Sequence, residues 1–274
     1  VPDVPALVQA EDHCGPTSLA SLLAWAGRPE TPEALADLVY LPGRGGTLPM
    51  DLSREIRARG LLAYRVRPDL PALLREVAAG SPALVLENRG LGWAPVWHYS
   101  VLTGYDLEES AAVLHAGEAE AEAVSLATFA RTWSRGGSFA LLALPAGHLP
   151  AGDDPEGILS ALSDLEETGS AEEAARGYEA FLARWPDDWR GAFGWGNALY
   201  AAGDRTGSEE ALRRAHGTAP ERPEPLNNLA WLAAQDGRTE EARALAAMAV
   251  ENAVRANLDP TPFQDTLEQV SERH

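Results

Sequence analysis

Apolar residues recur at helical spacing over Leu19, Leu22, Leu23 and Ala26, so one face of a helix over 16–26 is expected to be core. Similar patterns predict helices over 32–39, 50–59 and 70–79. Thr31 before Pro32 is an N-cap followed by proline at the first helical position, where no amide donor is needed. The period then changes. Leu61 to Arg65, Ala83 to Leu86, Trp97 to Tyr105, Ala111 to His115 and Phe139 to Leu144 read as strands, with a short helix over Thr128 to Trp133. Ala83-Leu84-Val85-Leu86 is wholly apolar, as a buried central strand should be. Helices first and an antiparallel sheet after them make an α+β domain. Gly43-Arg44-Gly45-Gly46-Thr47 reads as a flexible loop; it lacks the spacing and the lysine of a phosphate-binding loop.

Beyond residue 156 the pattern is helix after helix. The Pro/Gly/Asp-rich stretch before it predicts a boundary: a domain over 1–149, a linker over 150–156 and an all-α domain over 157–274. Gly169, Gly203 and Gly237 are spaced by 34 residues, as are Ala174, Ser208 and Ala242, and Trp185-Pro186 is repeated as Ala219-Pro220 at the same interval. A helix–turn–helix period of 34 is the tetratricopeptide signature. The expectation is about three repeats capped by a helix over Pro262–Ser271, with Trp189, Gly196, Tyr200, Leu226, Leu229 and Trp231 as packing positions.

Composition narrows the function. The formal charge is −19, and all 22 basic residues are arginine. Such acidity argues against nucleic acid and anionic membrane surfaces as partners, and no apolar run is long enough for a membrane span. Arg-only, Ala-rich usage fits a GC-rich bacterial genome. The chain begins at Val1 rather than Met, which is compatible with a removed export signal or lipid anchor and a place in the periplasm or cell envelope, and leaves the compartment open. The six histidines and single cysteine show no metal-ligand spacing, and no cofactor is expected.

Candidate chemistry gathers on that cysteine. In Asp12-His13-Cys14-Gly15-Pro16-Thr17, Gly15 and Pro16 mark the start of the first helix, which puts Cys14 at its N-terminus. Unpaired amides and the helix dipole there favour a thiolate; the alternative is a small buried hydrophobe. A base is available in His98, at the start of an alternating strand. His13 reads as a turn residue and His148 lies in the connecting stretch. Gln9, five residues before Cys14, has an amide that could donate to an oxyanion beside the Cys14 N–H.

Gln9, Cys14-Gly15-Pro16-Thr17-Ser18-Leu19-Ala20, Gly45-Gly46-Thr47 and His98-Tyr99-Ser100-Val101-Leu102-Thr103-Gly104-Tyr105-Asp106 together resemble the bacteriocin-processing peptidase C39 family. More narrowly, the chain is similar to stand-alone C39-like cysteine peptidases with C-terminal tetratricopeptide repeats. The resemblance implies a papain-like fold, Cys14 as nucleophile, His98 as base, Gln9 at the oxyanion hole, a peptide or protein substrate, and repeats that recruit a protein partner. Family members usually carry an Asp-Pro pair on the strand after the histidine, and that Asp orients the ring. Here the sequence reads Leu114-His115-Ala116-Gly117-Glu118. Glu118, a backbone carbonyl or Asn88 are the candidates for that role, and a two-residue dyad is also open. Asp106 is excluded, because eight strand residues put it roughly 26 Å from His98. Gly136-Gly137 reads as a turn. Two further functions fit the same residues: a Cys-dependent acyltransferase of the transglutaminase or phytochelatin-synthase kind, or a decayed site leaving a protein-binding adaptor.

Overall fold

The computed structural model describes residues 1–10, 12–118, 120–168 and 170–272; Gly169, a member of the glycine repeat, lies outside the described residues. The chain divides into two compact units, Val1–Ser170 and Ala171–His274.

In the first unit, α1 (Cys14–Trp25), α2 (Pro32–Val39) and α3 (Pro49–Arg57) come first. The Thr31 hydroxyl caps α2 by accepting from the Ala34 amide, with Pro32 behind it, as the sequence predicts. Between α2 and α3, β1 (Tyr40–Leu41) pairs with β2 (Gly46–Thr47) around a short 3-10 turn over Pro42–Arg44. The expected flexible loop is therefore a tight hairpin. Gly45, at φ 59°, supplies the left-handed residue that closes it.

There follow β3 (Leu62–Arg65), α4 (Leu70–Ala78), β4 (Ala83–Asn88), β5 (Trp97–Asp106), β6 (Ala111–His115), β7 (Glu122–Ser125), α5 (Leu126–Arg135) and β8 (Ala140–Leu144). Their sheet has the order β3-β8-β4-β5-β6-β7, and every pairing is antiparallel. β7 is the strand that periodicity misses, since its four residues form a short polar edge with little apolar alternation. Leu19, Leu22 and Leu23 of α1, Leu35 and Val39 of α2, and Leu52 and Ile56 of α3 bury their side chains in one core. Leu84, Tyr99, Leu141 and Ala143 of the sheet belong to the same core. α5 packs against β4, β6 and β7 through Phe129 and Trp133, and the Trp133 indole donates to the Phe139 carbonyl at 2.8 Å. Gly136 ends α5 and Gly137, at φ 78°, makes the expected turn.

The stretch taken as a linker is pinned to this unit. The buried Glu76 carboxylate accepts from the Ala151 and Gly152 amides, each at 2.8 Å. Tyr64 donates to Asp154 at 2.8 Å, and Asp154 also caps α6 (Pro155–Glu167) through the Gly157 amide. α6 then packs on β3, and Arg57 pairs with Asp164 at 3.4 Å. The compact division thus falls after α6, later than the boundary at 150–156, because buried polar contacts rather than composition decide where the unit ends.

The second unit is helical: α7 (Ala171–Arg184), α8 (Trp189–Ala201), α9 (Arg205–Thr218), α10 (Pro223–Gln235), α11 (Thr239–Arg255) and α12 (Thr261–Glu272). Gly203 and Gly237 make the turns after α8 and α10, at φ 89° and 75°. Ala174, Ser208 and Ala242 are each fully buried on α7, α9 and α11, so the 34-residue period corresponds to equivalent packing positions. α12 covers the last pair, burying Val270 against Ala230, Ala233, Ala242 and Ala246.

Candidate active site

Cys14 is the first residue of α1, preceded by His13 as a cap whose side chain makes no capping bond. Pro16 has no amide to donate and Gly15 has no side chain. That second feature matters, because a Cβ at Gly15 would lie 2.7 Å from the Thr47 Cβ and Oγ1. Close approach of the helix terminus to β2 is what glycine permits here. The Cys14 amide makes no hydrogen bond among the described residues, as expected of the first turn of a helix. The half-buried Cys14 lines a cavity of about 470 Å3 with Arg44, Thr47, Leu48, Leu86, Trp97 and Tyr99. Tyr99 donates to the Thr47 carbonyl at 3.2 Å, tying β5 to the hairpin wall. Burial, reinforced by the nearby Cys14, holds the Tyr99 hydroxyl well above its ordinary pKa.

Gln9 and His98 meet a common segment just after β6. The Gln9 amide donates to the Gly117 carbonyl at 2.9 Å, and its side chain lies flat on Gly117, where a Cβ would come within 2.4 Å of Oε1. Gly117 sits at φ 92°, so both its backbone and its missing side chain serve this contact. The Gln9 Oε1 is buried without a hydrogen-bond partner among the described residues. His98 Nε2 lies 3.1 Å from the Ala116 carbonyl, a bond that makes Nε2 the protonated nitrogen and leaves Nδ1 as the acceptor. Burial pushes the His98 pKa down, with Arg89 adding to the fall and Glu87, the Ala116 bond and Glu122 opposing it.

Of the third-member candidates, the group bonded to His98 is thus a backbone carbonyl. Asn88 is occupied elsewhere: its Oδ1 accepts from the Gly90 and Val96 amides at 3.0 Å each, bracing the hairpin over 89–96. Glu118 is exposed, with no hydrogen bond among the described residues. Asp106 ends β5, far from His98, and caps the following turn through the Glu108 and Glu109 amides.

No hydrogen bond joins Cys14 to His98 among the described residues. Side chains alternate along β5: Trp97 and Tyr99 line the Cys14 cavity, while His98 shares its face with Ser100 and its cross-strand partner Glu87. Sequence reasoning missed Glu87. Its signal was a lone carboxylate closing the apolar run Ala83–Leu86. His13 packs edge-on to Tyr40 at 4.9 Å, and His148 is exposed. Among the described residues no group of His, Cys, Asp and Glu could hold a metal ion, and no helix is long and apolar enough to cross a membrane.

A cysteine at the N-terminus of a helix packed on an antiparallel sheet, with histidine on a central strand, is the architecture of a papain-like cysteine peptidase domain. Residues 1–140 match the Peptidase_C39 like family, and the chain belongs to that family. No curated protein matches the chain. Among solved structures it is similar to the peptidase domain of Streptococcus ComA, a bifunctional ABC transporter involved in a quorum-sensing pathway. That match has 18% identity, covers 52% of this chain and 99% of that one, and has a TM-score of 0.43. It is also similar to the Yersinia enterocolitica type III secretion translocator chaperone SycD, at 21% identity over 44% of this chain and 93% of that one, with a TM-score of 0.41. A complex of SycD with a peptide of the translocator YopD matches at 19% identity over 44% and 94% of the two chains, with a TM-score of 0.39.

Proposed function

We propose that this chain is a cysteine peptidase acting on a peptide or protein substrate. The Cys14 thiol gives its proton to Nδ1 of His98 and attacks the scissile carbonyl. The Cys14 amide and the Gln9 side chain donate to the resulting oxyanion, and His98 then returns the proton to the leaving amine. Water hydrolyses the thioester left on Cys14. The observation that carries the reading is Cys14 at the start of α1 on the wall of the 470 Å3 cavity, its own amide without a hydrogen bond among the described residues. The Gln9 side chain, whose Oε1 has no partner among the described residues, and His98, whose Nε2 is held by the Ala116 carbonyl, support the remaining roles. His98 lies on the face of β5 away from the Cys14 cavity, so the proton transfer requires the imidazole and the thiol to be brought together when substrate binds. The repeats of the second unit recruit a partner or present the substrate in this reading.

The test is the rate of Cys14 alkylation by iodoacetamide against pH, in the native chain and in His98→Ala. An activated pair gives a thiol that titrates well below the free value of about 8.5 and moves up when His98 is removed. Cleavage of a peptide library, with the acyl product recovered as free acid, separates hydrolysis from transfer to an amine. A second reading, a protein-binding adaptor with a decayed site, is favoured by the missing Cys14–His98 bond. A thiol that titrates at the free value in both proteins supports it.

A further inference from the structure

The group bonded to His98 is a backbone carbonyl, that of Ala116. A carbonyl orients the ring but adds no negative charge when the ring is protonated, so the imidazolium needs another counter-charge. Glu87 is placed to supply it. The register of β4 and β5 sets Glu87 directly opposite His98, and such partners share a face with Cβ atoms about 5 Å apart. Glu87 is 3% exposed. Its carboxylate is held from three sides: Oε1 accepts from Thr132 at 2.7 Å, and Oε2 accepts from Ser100 at 2.9 Å and from Arg89 at 3.3 Å. A buried carboxylate costs folding free energy unless it is paired, and donors from α5, from β5 and from Arg89 just beyond β4 keep this one beside His98.

We propose that Glu87 is the positioning carboxylate that steadies protonated His98. Its catalytic meaning rests on the peptidase reading above; its geometry does not. The charged groups that act on His98 are Glu87 on β4, Arg89 just beyond it and Glu122 on β7. Arg89 divides its guanidinium between Glu87 and Glu122, the latter at 3.5 Å. Arg89 acts on His98 in the opposite sense and more strongly than Glu87, but the Arg89 and Glu122 side chains are 34% and 47% exposed, against 4% for Glu87, so solvent screens them more. The work is divided: Ala116 fixes Nε2 as the donor, and Glu87 offsets the charge gained when the proton passes from Cys14 Sγ to Nδ1.

The test is an NMR titration of His98 in the full chain, its resonance assigned by its loss in His98→Ala. Glu87→Gln keeps the side-chain length and removes the charge. The expected result is a His98 midpoint at lower pH than in the native chain. Alkylation of Cys14 by iodoacetamide near neutral pH is expected to slow about tenfold in the same variant. Glu87→Asp restores part of both. Arg89→Gln moves the His98 midpoint the other way, upward, and serves if circular dichroism finds Glu87→Gln unfolded. An unmoved midpoint in folded Glu87→Gln, or a midpoint unmoved or lowered in Arg89→Gln, overturns the proposal. Alkylation that ignores His98→Ala overturns the peptidase reading instead, while the His98 titration still decides the role of Glu87.

Discussion

Removing the Glu76 carboxylate tests whether residues 150–154 are a linker or part of the first unit. Glu76 is 2% exposed and both its oxygens are taken, by the Ala151 and Gly152 amides at 2.8 Å. Hydrogen bonds to a charged group contribute about 1.5–3 kcal/mol each. Glu76→Ala loses two of them and leaves space under the loop. It also removes the desolvation cost of a buried charge, which offsets part of the loss. The balance is a loss of about 3 kcal/mol. For a folding unit of this size that lowers Tm by about 9 °C. Differential scanning calorimetry of the full chain reads the shift, and limited proteolysis reads its location. New cleavage is expected within 146–154, where the loop and the Asp154 cap of α6 come loose together. A Tm within about 2 °C of the native value and an unchanged digestion pattern would refute the reasoning and restore a free linker.

Gly117→Ala forces a side chain at φ 92° and sets a Cβ 2.4 Å from Gln9 Oε1; urea unfolding is expected to register a loss of about 1–2 kcal/mol. Gly194→Ala, on α8, drives a Cβ to 2.4 Å from Cζ of Tyr178, costing about 1–3 kcal/mol by overpacking. Gly217→Ala, in open space on α9, instead gains up to about 1 kcal/mol from helix propensity. Thermal melts followed by circular dichroism should give these two alanines opposite signs. His98 is held below its ordinary 6.5 by burial and then Arg89. As pH falls below 6.5 the unfolded chain takes up the proton first, so this contribution to stability is present above that value and is lost as pH drops through the folded pKa. Urea midpoints of the native chain across this range should fall more steeply than those of His98→Ala, and equal slopes would contradict the assignment.

Periodicity and punctuation determined the local structure. The 3.6-residue spacing of Leu19, Leu22 and Leu23, the Thr31-Pro32 cap and the alternation from His98 onward are each written in neighbouring residues, and the elements formed there. The 34-residue interval carried the helical repeats for the same reason, since each unit must bury an equivalent face against the next. Cys14 at a helix start was equally local, because glycine and proline act on the chain beside them. Tertiary structure decided the rest. Glu76 reaches across 75 residues to hold the stretch that composition reads as a linker. The bond from His98 to Ala116 depends on how β5 and β6 pair, and the approach of Glu87 on the register of β4. A one-residue slip in either ladder would turn His98 toward different neighbours. Helix and turn signals act over a few residues, whereas the partners of a buried polar group are set by strand register and packing.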